Sequence, residues 1–268
     1  EYVDVAANGD GWVGRTPPWF GDVMFGGFVL GQSVFAATRT APEGARMHSA
    51  HAYFLAPVLH GPDVHYDVQP LRDGRSFASR VLHASQEGRP VFSMTCSFTA
   101  DPDGDEYGGV LDEAVEGPGA SQPEYGDGPW EIGTFGPTEP GADGVRDSTH
   151  RIWMRVGAPL PDDPHLHDAM VAFMSDITWN STRPLDLEGD TRGIISLDHA
   201  IHFHRRTRTD EWMYYDAHSL VNTGGRGLLR GTSHGAERRL TAVTPPRHHP
   251  DRRPPTTVRS APDRRGRR

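Results

Sequence analysis

The chain has 268 residues, of which 35% are hydrophobic and 24% charged, so it can form one large domain or two smaller ones. All 27 basic residues are arginine, and 36 acidic residues give a net charge of −9, which argues against a nucleic-acid or anionic-membrane binder. The single cysteine, Cys96, excludes an internal disulfide framework and cysteine-rich metal sites. The sequence has no run of about 20 apolar residues, the length that a membrane-spanning helix needs, so we expect a soluble, cytoplasmic protein.

The charge is uneven along the chain and divides it into four regions. Residues 101–145 hold 12 acidic residues and no basic residue, and their Gly and Pro content indicates an acidic linker. Residues 246–268 hold eight arginines and two aspartates but few hydrophobic residues, so burial cannot offset the entropy of ordering. We expect a disordered tail there, which leaves 1–100 and 146–245 as the folded units.

The first unit begins, after a poorly structured stretch, with a helix and continues with strands. Residues 25–39 are apolar almost all the way round at helical spacing, so this helix should be wrapped rather than laid on a surface. Asp73-Gly74 and Glu87-Gly88 lie where tight hairpin turns are required. Runs that are strand-like, in part with a period of two, occupy 47–56, 63–71, 76–85 and 90–99. We therefore predict an antiparallel sheet curled around the helix.

The second unit repeats this order. A strand is predicted at 150–156, and a helix follows with Asp163 as its N-cap and Pro164 at its first position. Further strands are predicted at 194–204, 211–219, 225–231 and 238–244. Two units of similar size and order indicate an internal duplication.

Several short motifs match functional patterns without the context that the function requires. A dinucleotide site at residues 9–14 would need a helix where Thr16-Pro17-Pro18 stands, and a nucleophile elbow at 231–235 lacks room for its helix. The acidic run 101–106 departs from the calcium-loop pattern. The pairs His165/His167 and His202/His204 lack a matching carboxylate or cysteine set, so we predict no metal site.

The longer blocks of the sequence resemble the acyl-CoA thioesterase II family, whose fold is a double hotdog. They span roughly residues 24–231 in the family's order. The blocks are MFGGFVLGQSVFAA, HSAHAYFLAP, LRDGRSFASR, PLPDDPHLHDAMVAFMSDIT, SLDHAIHFHR, DEWMYYD and GGRGLLRG. The resemblance implies an α+β double hotdog, two repeats of an antiparallel β-sheet wrapped around a long buried helix, with residues 1–100 as the N-terminal and 146–245 as the C-terminal hotdog.

The resemblance also implies the reaction, which is hydrolysis of fatty acyl-CoA to free fatty acid and CoA without a metal, a cofactor or a covalent intermediate. In the family an Asp, a Ser or Thr, and a Gln hold the attacking water. The family's Asp falls on Asp176 and its hydroxyl residue on Ser196. A carboxylate in an apolar tunnel is desolvated, which is expected to raise its pKa and make it a better general base.

Substrate contacts are expected from two further places. Phe25, Gly26 and Gly27 would line the acyl or CoA path, and Arg226, in the turn at 224–227, could meet CoA phosphates. A core helix and a plain hairpin turn explain the same residues equally well. By analogy with hotdog units, which generally pair through their sheets, we also expect association into a homo-oligomer.

The expected Gln is absent, because no Gln follows Gln122 and the corresponding region ends in Thr244-Pro245-Pro246. Either the chain has diverged into a weak or inactive, acyl-CoA-binding or regulatory double hotdog, or its C-terminus comes from a shifted reading frame of a GC-rich gene. A hotdog dehydratase is a third alternative, although its helix His/Asp signature is not evident. Since proline cannot donate to a strand ladder, the last strand should stop at Pro245 and Pro246.

Overall fold

The structure is a computed structural model that describes residues 3–17, 23–100, 105–125, 130–135, 149–177, 195–224 and 226–250. These residues form two α-helices, α1 (Gly26–Thr38) and α2 (Pro164–Ser175), and thirteen strands. The strands are β1 (Val5–Asn8), β2 (Gly11–Gly14), β3 (Ala45–Phe54), β4 (Val64–Asp73), β5 (Phe77–Gln86), β6 (Arg89–Ala100), β7 (Gln122–Tyr125), β8 (Trp130–Thr134), β9 (Thr149–Val156), β10 (Asp198–Phe203), β11 (Met213–Thr223), β12 (Arg226–His234) and β13 (Leu240–Pro250).

Helix α1 is enclosed on all sides, as its apolar sequence predicts. Every residue from Gly27 to Thr38 is buried, including the polar Gln32 and Ser33. Gln32 accepts a hydrogen bond from the hydroxyl of Tyr66 (2.5 Å) and donates one to the carbonyl of Arg15 (2.9 Å), so its amide is paired inside the core.

Helix α2 begins where the sequence predicts it. The Asp163 side chain accepts a hydrogen bond from the backbone N–H of His165 at 2.9 Å, and Pro164 occupies the first helical position. The helix ends at Ser175, and the C-cap residue Asp176 donates its backbone N–H to the carbonyl of Phe173. Neither described helix is long and apolar enough to cross a membrane.

All strands belong to one antiparallel sheet with the order β1-β2-β4-β5-β6-β3-β10-β13-β12-β11-β9-β8-β7. Strands β3 and β10 pair at its middle, with Ala50 opposite Ile201. One hydrophobic cluster joins the buried faces of the strands to both helices. The helices pack against each other in opposite directions, because Gly27 lies against the carbonyl of Phe173 and Gly31 against that of Ala169.

The predicted turns are confirmed where the chain reverses. Glu87 and Gly88 have φ values of 51° and 76°, the left-handed conformation that a tight two-residue hairpin turn requires. At the other hairpin the N–H of Gly74 bonds to the carbonyl of Phe77 at 2.9 Å.

The structure corrects two segments to which the sequence analysis assigned no sheet structure. The N-terminal stretch forms β1 and β2, which pair with each other and continue to β4. The segment 101–145, expected to be a linker, contributes β7 and β8, and Trp130 and Ile132 of β8 are buried in the core. These strands are only four or five residues long, so their periodicity is too brief to recognise; pairing with longer neighbours stabilises them.

The prediction that the last strand stops at Pro245 and Pro246 is wrong. Strand β13 continues to Pro250, which is opposite Arg226 of β12. Thr244 pairs with Gly231 and Arg247 with Leu229, so the two prolines together oppose a single residue in a β-bulge. Beyond Val243 no pairing with β10 is formed among the described residues, so the missing N–H groups interrupt no second ladder. Residues 246–250 of the expected tail therefore belong to β13, and residues 251–268 lie outside the described residues.

Candidate active site

The two predicted catalytic residues meet at the end of α2. Asp176 is the C-cap residue of the helix, and its side chain is 2% exposed. Ser196 lies just before β10 and donates a hydrogen bond from Oγ to Oδ1 of Asp176 at 2.9 Å. A helix end and a strand start, 20 residues apart, thus bring a carboxylate and a hydroxyl into direct contact.

A third side chain at this place, His199, was missed from the sequence. Its ring is fully buried, with Nδ1 3.6 Å from Oδ1 of Asp176 and Nε2 2.9 Å from Oγ of Ser175. His199 shares the inward face of β10 with Ile201 and Phe203, since alternate residues of a strand face the same side. A histidine in an otherwise apolar, inward-facing register is the signal that could have identified it.

The N-terminus of α1 faces this carboxylate. A Cβ on Gly26 would lie 2.7 Å from Oδ2 of Asp176, and one on Gly27 would lie 2.5 Å from the carbonyl oxygen of Phe173, so only glycine permits this approach. The first turn of α1 has no acidic residue, and its N-cap, Phe25, provides no side-chain cap. Asp176 therefore supplies negative charge near the positive end of the helix dipole.

Aromatic side chains form an apolar wall beside the same helix end. The ring of Phe173 packs edge-on against Phe25 (5.4 Å between ring centroids) and Phe28 (5.0 Å), and it stacks on Trp130 at 4.6 Å. Phe25 is half-buried, whereas Phe28 and Phe173 are fully buried. The arrangement provides a low-dielectric boundary next to Asp176.

Arg226 is not brought to this cluster. It is exposed at the start of β12, opposite Thr223, after the turn at Gly224. A Cβ at Gly231 would clash with the hydroxyl of Tyr215, so Gly231 lies beside that side chain. Arg226 is five residues before Gly231 on β12, which separates the two residues by about 16 Å at the usual rise of a strand. A contact between Arg226 and CoA phosphates stays a prediction.

Where β13 passes the end of α2, it presents a threonine. The hydroxyl of Tyr215 on β11 donates to the carbonyl of Ser175 at 3.1 Å and lies 3.0 Å from Oγ1 of Thr244. Tyr215 and Thr244 are both buried. Strand β13 contains no Gln, and the hydroxyl groups of Tyr215 and Thr244 occupy this part of the interior.

A polar cleft of about 580 Å³ lies elsewhere, beside Pro164 and His167 at the start of α2. Twelve residues of helix separate Pro164 from Asp176, about 18 Å at the rise of an α-helix. Charged side chains of the cleft form ion pairs: Arg46 with Asp168 (3.3 Å), Arg205 with Glu106 (3.3 Å) and Arg208 with Asp210 (2.8 Å). The cleft is therefore distinct from the Asp176–Ser196 site.

The histidines considered as metal ligands make other contacts or face the sheet surface. Nδ1 of His167 lies 3.1 Å from the hydroxyl of Thr209, and His202 is exposed on β10. Within the part of the chain that the structure describes, no three His, Cys, Asp or Glu side chains are placed to hold a metal ion.

Comparison with known proteins assigns the chain to a family. The model of the acyl-CoA thioesterase N-terminal domain matches residues 15–99, and that of the C-terminal domain matches residues 100–244. This chain belongs to the acyl-CoA thioesterase II family. The chain is therefore an enzyme that hydrolyses acyl-CoA thioesters.

Individual relatives of this family member agree with the assignment. Acyl-CoA thioesterase 2 of Haemophilus influenzae is 28% identical over 243 residues, which cover 82% of this chain and 85% of the relative. The crystal structure of acyl-CoA thioesterase II TesB2 from Mycobacterium marinum is 30% identical, covers 95% of this chain and 97% of its own, and has a TM-score of 0.80. A hot dog fold protein from Alicyclobacillus acidocaldarius, 18% identical, covers 94% of this chain and 97% of its own with a TM-score of 0.75, which supports the hotdog fold.

Proposed function

We propose that this thioesterase hydrolyses fatty acyl-CoA to free fatty acid and CoA with a water molecule held by Asp176 and Ser196. The observation that carries the proposal is the 2.9 Å hydrogen bond from Ser196 Oγ to Asp176 Oδ1, in a buried site that faces the N-terminus of α1. Oδ1 accepts the hydrogen bond from Ser196, and Oδ2 is directed towards the N-terminus of α1, where the reacting carbonyl would lie.

The reaction then follows from the charges of the site. Asp176 takes a proton from the water, whose oxygen attacks the thioester carbonyl carbon. Negative charge develops on the carbonyl oxygen, and backbone N–H groups at the start of α1, at Gly26 and Gly27, are suited to stabilise it. The carbon–sulfur bond breaks, and the proton held by Asp176 passes to the departing CoA thiolate.

The substrate contacts are part of the same proposal. The acyl chain would lie along the aromatic wall at Phe25, which is half-buried and borders the glycines of α1. The exposed guanidinium of Arg226 would meet the phosphates of CoA, since its fork of donors matches phosphate oxygens. An extended CoA arm would have to span the separation between Arg226 and the reacting carbonyl.

We further propose that the chain is an internally duplicated, double hotdog. Strands and helices follow the same order twice, as β1-β2-α1-β3-β4-β5-β6 and as β8-β9-α2-β10-β11-β12-β13. In the sheet these two series run outward in matching order from the central pair of β3 and β10, which supports a two-fold relation between the halves. Association of whole chains into a homo-oligomer stays a prediction.

An acyl-CoA-binding protein with weak or no hydrolysis is the second candidate. It is favoured by the lack of a Gln in β13, where Thr244 contacts Tyr215 instead. If the C-terminus derives from a shifted frame, restoring the other frame would return a Gln to this strand. Resequencing the 3′ end of the gene separates divergence from a frame change.

Thiol release from a fatty acyl-CoA tests the catalytic assignment. Asp176→Asn keeps the side-chain shape but removes the base, so we expect a loss of kcat of about 10²-fold or more. Ser196→Ala removes one hydrogen bond to a charged group, which corresponds to a loss of about 10- to 100-fold. Asp67→Asn, on the exposed face of β4, is the matched control and should keep the parent rate.

A thiol reagent reports released CoA with little background, because burial raises the pKa of Cys96, the single cysteine, to about 12. An unchanged rate in Asp176→Asn contradicts the proposed mechanism. Acyl-CoA binding by the parent chain, with hydrolysis no faster than in buffer, establishes the second candidate.

A further inference from the structure

His199 is a buried, ionisable side chain that the proposed reaction leaves without a role. Its ring is 0% exposed and lies between the end of α2 and the inner face of β10. Both ring nitrogens face oxygen atoms of consecutive residues, Ser175 and Asp176. A buried polar group in such a place costs free energy unless its partners are arranged to suit it.

The hydrogen bonds of Ser175 determine where one imidazole proton lies. The Ser175 hydroxyl donates to the carbonyl of Ala172 at 2.7 Å. A hydroxyl has one proton, so at 2.9 Å its oxygen accepts a hydrogen bond from Nε2 of His199. Nε2 therefore carries a proton.

The other ring nitrogen faces the catalytic carboxylate. Nδ1 lies 3.6 Å from Oδ1 of Asp176. In a neutral ring with its proton on Nε2, a lone pair on Nδ1 would face a carboxylate oxygen across a dry interior, which is repulsive. A second proton on Nδ1 converts this repulsion into attraction between an imidazolium and a carboxylate.

We propose that His199 is a positioning residue that carries protons on both ring nitrogens and holds Oδ1 of Asp176 by its charge, which keeps Oδ2 directed towards the start of α1. This inference rests on the proposed function, because it assigns the proton transfer to Asp176. Oδ1 then accepts a hydrogen bond from Ser196 and lies 3.6 Å from the charged ring of His199, whereas Oδ2 lies towards Gly26 at the start of α1.

Other ionisable groups near His199 do not change this assignment. Tyr215, from β11, directs its hydroxyl to the carbonyl of Ser175. Asp198 points to the opposite side of β10, where its Oδ2 lies 3.6 Å from Nε2 of His51. On β3 the backbone partner of His199 is Ala52, which is apolar. Among the described residues named here, Asp176 is thus the carboxylate that lies against the ring.

Two substitutions distinguish the contact made by Nδ1 from the contact made by Nε2. The amide of His199→Asn can take the place of Nδ1 and still donate to Asp176, whereas that of His199→Gln reaches the place of Nε2 and serves Ser175. We expect His199→Asn to keep kcat within about threefold and His199→Gln to lower kcat by about 10-fold or more, with KM nearly unchanged in both. Thermal unfolding of each variant checks that the fold is kept.

A double variant and a spectroscopic measurement complete the test. In an Asp176→Asn background, His199→Gln should cause no further loss of rate, because the carboxylate that it positions is already absent. Nitrogen-15 chemical shifts of the imidazole, assigned by difference from His199→Gln, should place both ring nitrogens of the parent enzyme in the protonated range. A shift typical of an unprotonated Nδ1 overturns the proposal.

The rates also distinguish failure of this proposal from failure of the proposed function. If Asp176→Asn keeps the parent rate, the assignment of the base is wrong whatever His199 does. If Asp176→Asn is inactive but His199→Gln keeps the parent kcat, only the positioning role is wrong. A loss in His199→Asn that equals or exceeds the loss in His199→Gln shows that the Ser175 contact matters instead, and also overturns the role.

Discussion

Gly26 is the residue at which the site tolerates least change. A Cβ there would lie 2.7 Å from Oδ2 of Asp176 and 2.9 Å from the ring of Phe54, so an alanine must displace the carboxylate or the ring. A misplacement of about 1 Å at a catalytic group can lower the rate about 10²-fold. We expect Gly26→Ala to reduce kcat by about 10- to 100-fold in the thiol-release assay, while its far-ultraviolet circular dichroism is kept.

The matched control is Gly119→Ala, because a Cβ at Gly119 has no atom within 4 Å. It should leave both kcat and the circular dichroism spectrum unchanged. Activity in Gly26→Ala equal to that of the control would contradict the expectation that catalysis depends on the close approach of Gly26 to Asp176.

Single residues were predictable from the sequence where their role is local or belongs to a family motif. The cap at Asp163 depends on a hydrogen bond to the N–H two residues later, so its position in the sequence suffices. Asp176 and Ser196 follow from the resemblance, and the structure places them in contact. His199 was missed because its role depends on the packing of β10 against the end of α2, which no local pattern specifies.

At the scale of elements, the same contrast separates long strands from short ones. Strands β4, β5 and β6 are predicted to within two residues at every end, because each is ten or more residues long and at least part of it alternates between buried and exposed positions. Strand β13 was ended too early at Pro245, since the rule against proline in a ladder does not apply at a bulge.

The end of β13 provides a prediction about this element. Residues after Thr244 pair with β12 through Arg247, His248, His249 and Pro250. A chain ended after Thr244 leaves that stretch of β12 as an unpaired edge, so we expect a lower unfolding temperature and aggregation on heating. A chain ended after Pro250 keeps all described pairs and should unfold at the temperature of the full chain, as measured by differential scanning calorimetry. Equal unfolding temperatures for the two truncated chains would show that the pairing beyond the bulge contributes nothing to stability.

At the scale of the whole molecule, the two halves of the sheet share one central pair of strands and one hydrophobic cluster. The candidate site draws on both series of elements, because α1 and Phe54 come from the first, and α2, Ser196 and β10 from the second. Neither half contains the site alone. The sequence predicted two similar units, but only their packing shows that the start of one helix meets the end of the other.

Five histidines that lose part of their hydration on folding make the stability of the molecule depend on pH. Burial lowers the pKa of each from the ordinary value near 6.5, so protons bind the unfolded chain more readily than the folded one. The stability that depends on their neutral form is present above pH 6.5 and is lost as the pH falls through the lowered pKa values. Burial raises the pKa of Asp168, which opposes this trend, and so does the proposed charged ring of His199 beside Asp176; these are two groups against five. These histidines are the buried His167 and His234, the half-buried His48 and His150, and the exposed His204.

We therefore expect the free energy of unfolding, measured in urea at pH 7.5, 6.5 and 5.5, to fall with pH. One histidine can contribute at most about 1.4 kcal/mol per pH unit, and the exposed His204 contributes less because solvent screens its charge. His150 isolates one contribution, because burial is the cause of its lowered pKa and its Nδ1 has no hydrogen-bond partner among the described residues. His150→Gln should reduce the slope of unfolding free energy against pH between 6.5 and 5.5, whereas His65→Gln, an exposed change on β4, serves as the matched control. A slope in His150→Gln equal to that of the parent would mean that protonation of His150 does not oppose folding, and a stability that rises as the pH falls would contradict the expectation for the whole set.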